Sequence, residues 1–109
     1  MTIIAVWVNC PNHETARRIS DVLVGERLAA CTNILPEIQS AFHWKGNVEL
    51  EREVPLVAKT RGELFQAICE TIRELHPYEI PGVFAMVVAH ADPEYEAWVI
   101  SETEGSAPA

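Results

Sequence analysis

Residues 38–54 read IQSAFHWKGNVELEREV, in which two alternating stretches flank the turn-forming sequence Lys45-Gly46-Asn47. Alternate side chains of a β-strand point to opposite faces, so two such stretches joined by a glycine-containing turn predict a β-hairpin. The pattern extends from residue 29 to residue 59. Pro36 cannot donate a ladder hydrogen bond, so it indicates a bulge or an edge on the first arm.

Each arm of the predicted hairpin has two distinct faces. On the first arm the larger side chains share one face, which comprises Ile38, Ser40, Phe42 and Trp44. On the return arm one face is apolar and comprises Val48, Leu50, Val54 and Leu56. The opposite face is acidic and comprises Glu49, Glu51 and Glu53. Because like charges so aligned repel, this face is interpreted as solvated, or as offset by basic side chains or a bound cation.

The predicted hairpin is long compared with the rest of the chain. An arm of about 12 residues spans roughly 40 Å, whereas a domain of this length has a radius of gyration near 13 Å, to order of magnitude. The hairpin should therefore overhang its own domain while carrying Phe42, Trp44, Val48 and Leu50. An exposed apolar ribbon is an aggregation hazard, so we expect sister subunits to cover it.

The segments around the hairpin alternate between strand and helix patterns. Residues 2–8 are mostly β-branched or apolar and predict a buried strand, after which a helix runs from the N-cap Asn12 to about residue 27. A capping box at residues 60–63 is predicted to open a second helix, which Pro77 ends. Residues 83–89 predict the last strand.

A short helix is predicted to close the fold, with Asp92 as its N-cap and Pro93 as its first residue. The order β-α-β-β-α-β plus this helix predicts an α+β, ferredoxin-like split βαβ sandwich with a long hairpin. We expect one domain over residues 1–103 and a flexible tail over residues 104–109.

The chain of 109 residues carries 16 acidic and 8 basic side chains, a formal net charge of −8. This charge disfavours nucleic acids and anionic membranes as partners, and it attracts cations without specificity. The apolar run at residues 3–8 is too short to span a membrane and follows no basic segment. We therefore expect a cytoplasmic protein.

Three cysteines, Cys10, Cys31 and Cys69, have no CxxC spacing. Their number and spacing argue against a disulfide framework and against a structural zinc site. We expect all three to be reduced and at least two to be buried. Cys10 is expected to react most readily because it stands beside Pro11 at a strand end.

The stretch His-Pro-Tyr-Glu-Ile-Pro (76–81) holds three functional side chains between two prolines. Each proline fixes its own φ and favours extended backbone before it, so His76, Tyr78 and Glu79 lie on a stiff segment. We interpret them either as a cation or small-ligand site or as hydrogen-bonding groups at an interface. No nucleophile, phosphate-binding, dinucleotide or HExxH motif is present, so we predict no catalytic residues and no enzyme.

Five motifs together resemble the CutA divalent-cation-tolerance family. They are Leu-Ala-Ala-Cys-Thr-Asn (28–33), Trp-Lys-Gly (44–46), Glu51-x-Glu53, Lys59-Thr60 and residues 76–81, in the order found in that family. The resemblance extends from about Val6 to Trp98. It implies a compact homotrimer, with inter-subunit sheets built from such hairpins, that is associated with tolerance of divalent cations.

These motifs define the candidate site residues. The candidate ligands for a divalent cation such as copper are His76, Glu79 and Cys10; no cofactor is required. The candidate cleft or interface residues are Trp44, Glu51, Glu53, Lys59 and Tyr78. Some family members have a copper-linked cysteine where this chain has Val8, and the family usually has a glutamate where this chain has Gly82. We therefore expect binding of micromolar order or weaker, about −8 kcal/mol at best.

Two alternatives to a cation-binding trimer stay open. The PII proteins share the ferredoxin-like trimer plan and bind small anionic ligands in inter-subunit clefts, although clefts lined partly by glutamates would suit anions poorly. The third interpretation is a stable scaffold that assembles other proteins without a ligand. Trp44 itself is interpreted as a ligand-stacking platform or as an interface anchor, of which we favour the anchor.

Overall fold

The computed structural model describes residues 2–105 of the chain. Its strands are β1 (Ile3–Cys10), β2 (Cys31–Ile34), β3 (Ile38–Trp44), β4 (Asn47–Arg61) and β5 (Val83–Val87). Its helices are α1 (His13–Gly25), α2 (Phe65–Leu75) and α3 (Pro93–Glu102), and a 3-10 turn, Gly62–Leu64, precedes α2. The element order is the predicted one except that the first arm of the hairpin forms two strands, β2 and β3. Of the predicted tail 104–109, residues 106–109 lie outside the described residues.

The strands form one antiparallel sheet in the order β2-β4-β1-β5, and β3 pairs with the outer half of β4. Both β-α-β connections are split, since β4 lies between β1 and β2, and β1 lies between β4 and β5. The strand β4 is therefore central: its inner half is hydrogen-bonded on both sides, and its outer half extends with β3 beyond the sheet.

Helices α1 and α2 cover one face of the sheet and enclose the core. The sheet contributes alternate residues of β1 and β4 to this core, among them Val6, Val8, Val54 and Leu56. The helices contribute residues at helical spacing, among them Ile19, Leu23, Ile68 and Ile72. The predicted N-caps hold: Asn12 Oδ1 accepts from Thr15 N at 2.8 Å, and Asp92 Oδ2 accepts from Tyr95 N at 3.2 Å.

Helix α3 lies on the opposite face of the sheet, at the end where β4 finishes. Arg61, whose side chain points away from the α1 and α2 core, donates from its guanidinium group to the carbonyl oxygen of Thr103 at 3.0 Å. Val99 and Thr103 are fully buried there. The rest of this face, which we call the open face, has no helix over it among the described residues.

The predicted capping box at residues 60–63 is wrong. Thr60 belongs to β4, where it pairs with Ile4, and its hydroxyl donates to the carbonyl oxygen of Leu28 at 2.7 Å. Neither the 3-10 turn nor α2 has a side-chain cap. The strand extends further than predicted, and within it the buried Thr60 hydroxyl satisfies a carbonyl oxygen that would otherwise lack this donor.

The hairpin overhangs the domain as predicted. The molecule measures 44 × 26 × 22 Å, and its radius of gyration is 14.3 Å. The first arm divides into β2 and β3 at Pro36, where Leu35 N donates to the carbonyl oxygen of Pro55 at 2.9 Å. The turn has two residues, Lys45 and Gly46, with φ of 49° and 84°. Positive φ at both positions is the requirement of a type I′ turn, which glycine meets without strain.

The predicted apolar ribbon is divided between the two faces of the hairpin. Directly paired residues of antiparallel strands point the same way, and Phe42 pairs with Glu49 while Leu50 pairs with Ala41. We call the face that carries Phe42, Trp44 and the three glutamates the inner face. The outer face carries Val48 and Leu50, which are 66% and 78% exposed. The physical reason is the turn, which is one residue shorter than predicted and so fixes a different pairing.

Candidate functional site

The inner face of the hairpin and the segment 78–82 enclose a cleft, which we call the hairpin cleft. Its volume is about 1080 Å³, and its walls include Phe42, Trp44, Glu49, Glu51, Tyr78 and Ile80. Of the eight residues predicted for the site, the structure brings Trp44, Glu51, Glu53, Tyr78 and Glu79 to this cleft. Such a concave site, part apolar and part polar, is typical of small-ligand binding.

The floor of the cleft is a buried carboxylate. Glu53 is 5% exposed, and its Oε2 accepts from the Tyr78 hydroxyl at 2.9 Å. Asn9 approaches the other oxygen, with Nδ2 at 3.5 Å, and accepts from Trp7 Nε1 at 2.9 Å. Burial, together with the hydrogen bond to Glu53, raises the pKa of Tyr78 well above its usual range. Tyr78 therefore acts as a donor to this carboxylate over the whole physiological pH range.

His76 uses both of its ring nitrogens within the chain. The side chain is 5% exposed; Nε2 lies 2.8 Å from the carbonyl oxygen of Asn9, and Nδ1 lies 3.2 Å from Tyr78 N. A carbonyl oxygen only accepts and a backbone N–H only donates, so Nε2 carries the proton and Nδ1 accepts. A metal could bind His76 only after one of these hydrogen bonds broke.

The position of His76 follows from the end of α2. Helix α2 ends at Leu75 because Pro77 cannot continue it, and His76 N still donates to the carbonyl oxygen of Ile72 at 2.8 Å. The imidazole then reaches the end of β1 and joins it to the segment 76–82.

The other two predicted metal ligands, Cys10 and Glu79, differ from each other in burial and in their contacts. Cys10 is fully buried, and burial, with a smaller contribution from Glu53, raises the pKa of its thiol to about 11. Glu79 is exposed and lies 3.4 Å from Lys45 Nζ. Within residues 2–105, no three histidine, cysteine, aspartate or glutamate side chains form a group that could hold a metal ion. Metal binding by these three residues stays a prediction.

The thiol predictions need two corrections. Cys10, expected to be the most reactive, is the one buried cysteine, because β1 continues through it and pairs it with Val54. Cys31 and Cys69 are half-buried, so the prediction that at least two thiols are buried is wrong as well. All three are free thiols.

Lys59 lies away from the cleft. It is on the open face, opposite Cys31 and Ala5, and its ammonium donates to Asn33 Oδ1. Two residues outside the predicted set contact residues of the site. Asn9 connects Glu53 with His76, and Lys45 places its ammonium 5.4 Å from the centre of the Trp44 ring. The contact of Lys45 could have been predicted from its position in the turn, directly after Trp44.

The cleft is acidic. Arg52 is one of the residues that line the cleft, but it is in the outer-face register and its guanidinium lies 3.8 Å from Glu37. Neither Glu49 nor Glu51 forms an ion pair with any described residue. The negative charge of the inner face is thus left for a ligand, a partner or solvent to balance.

Comparison with known proteins gives a consistent result. Residues 4–102 match the family described as CutA1 divalent ion tolerance protein. Protein CutA of Mus musculus is 41% identical over 103 residues, which cover 94% of this chain and 58% of the mouse protein. The divalent-cation tolerance protein CutA of Thermus thermophilus is 39% identical over 98 residues, covering 90% of this chain and 95% of that protein. This chain therefore spans little more than half of the mouse relative.

Solved structures agree. CutA1 from Oryza sativa superimposes with a TM-score of 0.92 at 35% identity, covering 97% of each chain. The divalent cation tolerance protein from Thermus thermophilus superimposes with a TM-score of 0.90 at 38% identity, covering 93% of this chain and 98% of the other. No helix among residues 2–105 is long and apolar enough to cross a membrane. From the match over residues 4–102 and these relatives, the chain belongs to the CutA1 divalent ion tolerance family.

Proposed function

We propose that this chain forms a ferredoxin-like homotrimer without catalytic activity, which takes part in tolerance of divalent cations and binds small ligands in the hairpin cleft. The names of the relatives support the role in cation tolerance. The observation that carries the proposal is the overhanging hairpin, which encloses the cleft on its inner face and leaves Val48 and Leu50 exposed on its outer face.

The exposed apolar surfaces support the assembly. Besides the outer face of the hairpin, the open face carries Phe84 and Met86, which are 51% and 45% exposed, and Trp7 stacks on Phe84 with ring centres 6.4 Å apart. Within residues 2–105, strand β5 pairs only with β1, so its other edge has backbone groups without a partner strand there. A free edge invites another strand.

The projecting hairpin and the free edge of β5 are two different surfaces of one subunit, and the hairpin of one subunit can contact the β5 edge of the next. Contacts between them are heterologous and close into a ring when the rotation allows. A ring of three is the arrangement that the family resemblance implies, and it would cover Leu50 and the β5 edge while leaving the cleft between subunits.

The donor set does not fit a copper or zinc site in one chain. The imidazole of His76 is fully hydrogen-bonded, the Cys10 thiol stays protonated at neutral pH, and Glu79 pairs with Lys45. We therefore base the role in cation tolerance on the cleft rather than on these three side chains. The acidic inner face also disfavours the anionic ligands of PII-type trimers. Free thiols suit a reducing compartment such as the cytoplasm, where we propose that the protein acts.

Sedimentation equilibrium at micromolar concentration tests the assembly. We expect a species of three times the chain mass of 12.2 kDa. A monomer would contradict the proposal. For the cellular role, deletion of the gene should lower growth in copper, zinc or cadmium salts, and a plasmid copy should restore it.

A further inference from the structure

The inner face of the hairpin combines carboxylates with aromatic rings. Glu49 pairs with Phe42, and Glu51 pairs with Ser40, so these side chains point into the cleft together with Trp44. Glu49 and Glu51 are two residues apart on one strand, a separation of about 6.6 Å along the strand. Carboxylates alone would attract any cation, so the choice of ligand rests on the rings beside them.

An ammonium group already occupies one end of this surface. The Nζ atom of Lys45 lies 5.4 Å from the centre of the Trp44 ring and 3.4 Å from Glu79 Oε2. An aromatic face attracts a cation within about 6 Å of its centre. The Trp44 ring and the Glu79 carboxylate thus accept an alkyl ammonium group in the structure itself.

The charge and the shape of the cleft select among cations. Hydrated magnesium or calcium prefers oxygen ligands throughout and gains nothing from Phe42, Trp44 or Ile80. An aliphatic ammonium compound is stabilised by both the carboxylates and the aromatic rings, because its charge lies against the carboxylates while its methylene groups cover the rings. Two ammonium groups separated by four methylene groups have a span similar to the separation of Glu49 and Glu51.

We propose that the hairpin cleft binds an aliphatic diamine or polyamine. Its ammonium groups lie on Glu49 and Glu51, and its methylene chain lies against Phe42 and Trp44. Lys45 is the internal competitor that covers the Trp44 ring when the cleft is empty. This inference rests on the proposed role of the cleft as a ligand site and names the class of ligand.

Calorimetric titration of the assembled protein with 1,4-diaminobutane tests the inference. We expect Trp44→Leu to raise the Kd about two- to fivefold, since a partly exposed cation–π contact is worth about 0.5–1 kcal/mol. Glu51→Gln should raise the Kd about as much. Lys45→Gln should lower it, because the competitor is gone. Glu63→Gln, which neutralises an exposed glutamate in the 3-10 turn, is the matched control and should leave the Kd unchanged.

Two further titrations separate the ligand class from general attraction of cations. Butylamine should bind more weakly than the diamine, and magnesium should bind independently of Trp44. Magnesium binding as tight as the diamine, or a Trp44→Leu variant with unchanged Kd for the diamine, would overturn the inference. Sedimentation of each variant distinguishes the two proposals: a trimer that does not bind the diamine refutes only the ligand, whereas a monomeric wild type refutes the assembly.

Discussion

Tyr78 donates its phenolic proton to Oε2 of Glu53 across 2.9 Å, and this hydrogen bond joins the segment after α2 to the middle of β4. Glu53 is 5% exposed, so the acceptor is a charged group removed from water. Without this donor the carboxylate would lack its shortest hydrogen bond, and the segment 78–82 would be joined to the hairpin by the exposed ion pair between Glu79 and Lys45.

We therefore expect Tyr78→Phe to lower the free energy of unfolding by about 1.5–3 kcal/mol, the range for hydrogen bonds to charged groups. Urea unfolding followed by circular dichroism measures the change. Tyr95→Phe is the control, because its hydroxyl makes only a 3.6 Å contact with Cys31 at an exposed position. Equal losses in the two variants would show that Glu53 gains little from Tyr78.

The buried thiol predicts how stability depends on alkaline pH. Burial raises the pKa of Cys10 from 9.0 to about 11, so the folded chain keeps a proton that the unfolded chain releases above pH 9. The contribution of the protonated Cys10 thiol to the free energy of unfolding is fully present below pH 9 and is lost as the pH rises to about 11. Unfolding between pH 8 and 11 should show a smaller loss of stability in Cys10→Ala than in wild type. Parallel pH profiles would exclude Cys10 as the cause.

Thiol labelling gives a second measurement on the cysteines. Cys31 and Cys69 should react with a thiol reagent in the native protein, whereas Cys10 should react only after unfolding, because it is fully buried and protonated. Mass spectrometry of the labelled peptides identifies each site. Labelling of Cys10 at the same rate as Cys69 would mean that the end of β1 opens readily.

His76 should affect stability rather than metal affinity. His76→Ala removes the partner of the Asn9 carbonyl and of the Tyr78 N–H, and each of these part-buried hydrogen bonds should contribute about 0.5–1.5 kcal/mol to stability. Copper and zinc titrations of tag-free protein should give the same affinity for His76→Ala and wild type, while urea unfolding shows the loss. A selective loss of metal affinity would return His76 to the list of ligands and would require the imidazole to leave its hydrogen bonds.

The outer face of the hairpin is where a new charge should disrupt assembly. Leu50→Lys places an ammonium group at a position that is 78% exposed in the single chain and, in the proposed trimer, covered. Burying an unpaired charge is strongly unfavourable, so we expect dissociation at micromolar concentration in sedimentation. Gln66→Lys adds the same charge at an exposed position on α2 and should remain assembled.

Much of the fold could be predicted from local chemistry. The Asn12 and Asp92 N-caps, the stop at Pro77 and the break at Pro36 all follow from what those residues can and cannot do with the backbone. The overhang of the hairpin could be predicted because its arms are longer than a domain of this chain length is wide. The caps, the helix end and the break each depend on a few neighbouring residues, and the overhang depends only on arm length and chain length, so all of them can be predicted from the sequence.

The faces of the hairpin could not be predicted as reliably, because they depend on one residue of turn length. A two-residue turn at Lys45 and Gly46 pairs Phe42 with Glu49, which places the aromatic and acidic side chains together. The particular hydrogen bonds of His76 and the burial of Cys10 could not be predicted for a different reason. Their partners, the Asn9 carbonyl and Val54, are distant in sequence and are brought close only by the assembled sheet.

The central position of β4 also has a consequence for how the chain acquires its structure during synthesis. Strands β1, β2 and β3 all pair with β4, and the remaining pairing in the described part of the chain joins β1 to β5. A nascent chain that has not yet emerged as far as Arg61 therefore has no completed ladder to which Ile3–Cys10 can add. About fifty further residues must be synthesised before the apolar strand β1 can pair with β4. Pairing between segments so far apart in sequence slows folding. We expect ribosome-bound chains shorter than this to stay protease-sensitive and to need protection from aggregation.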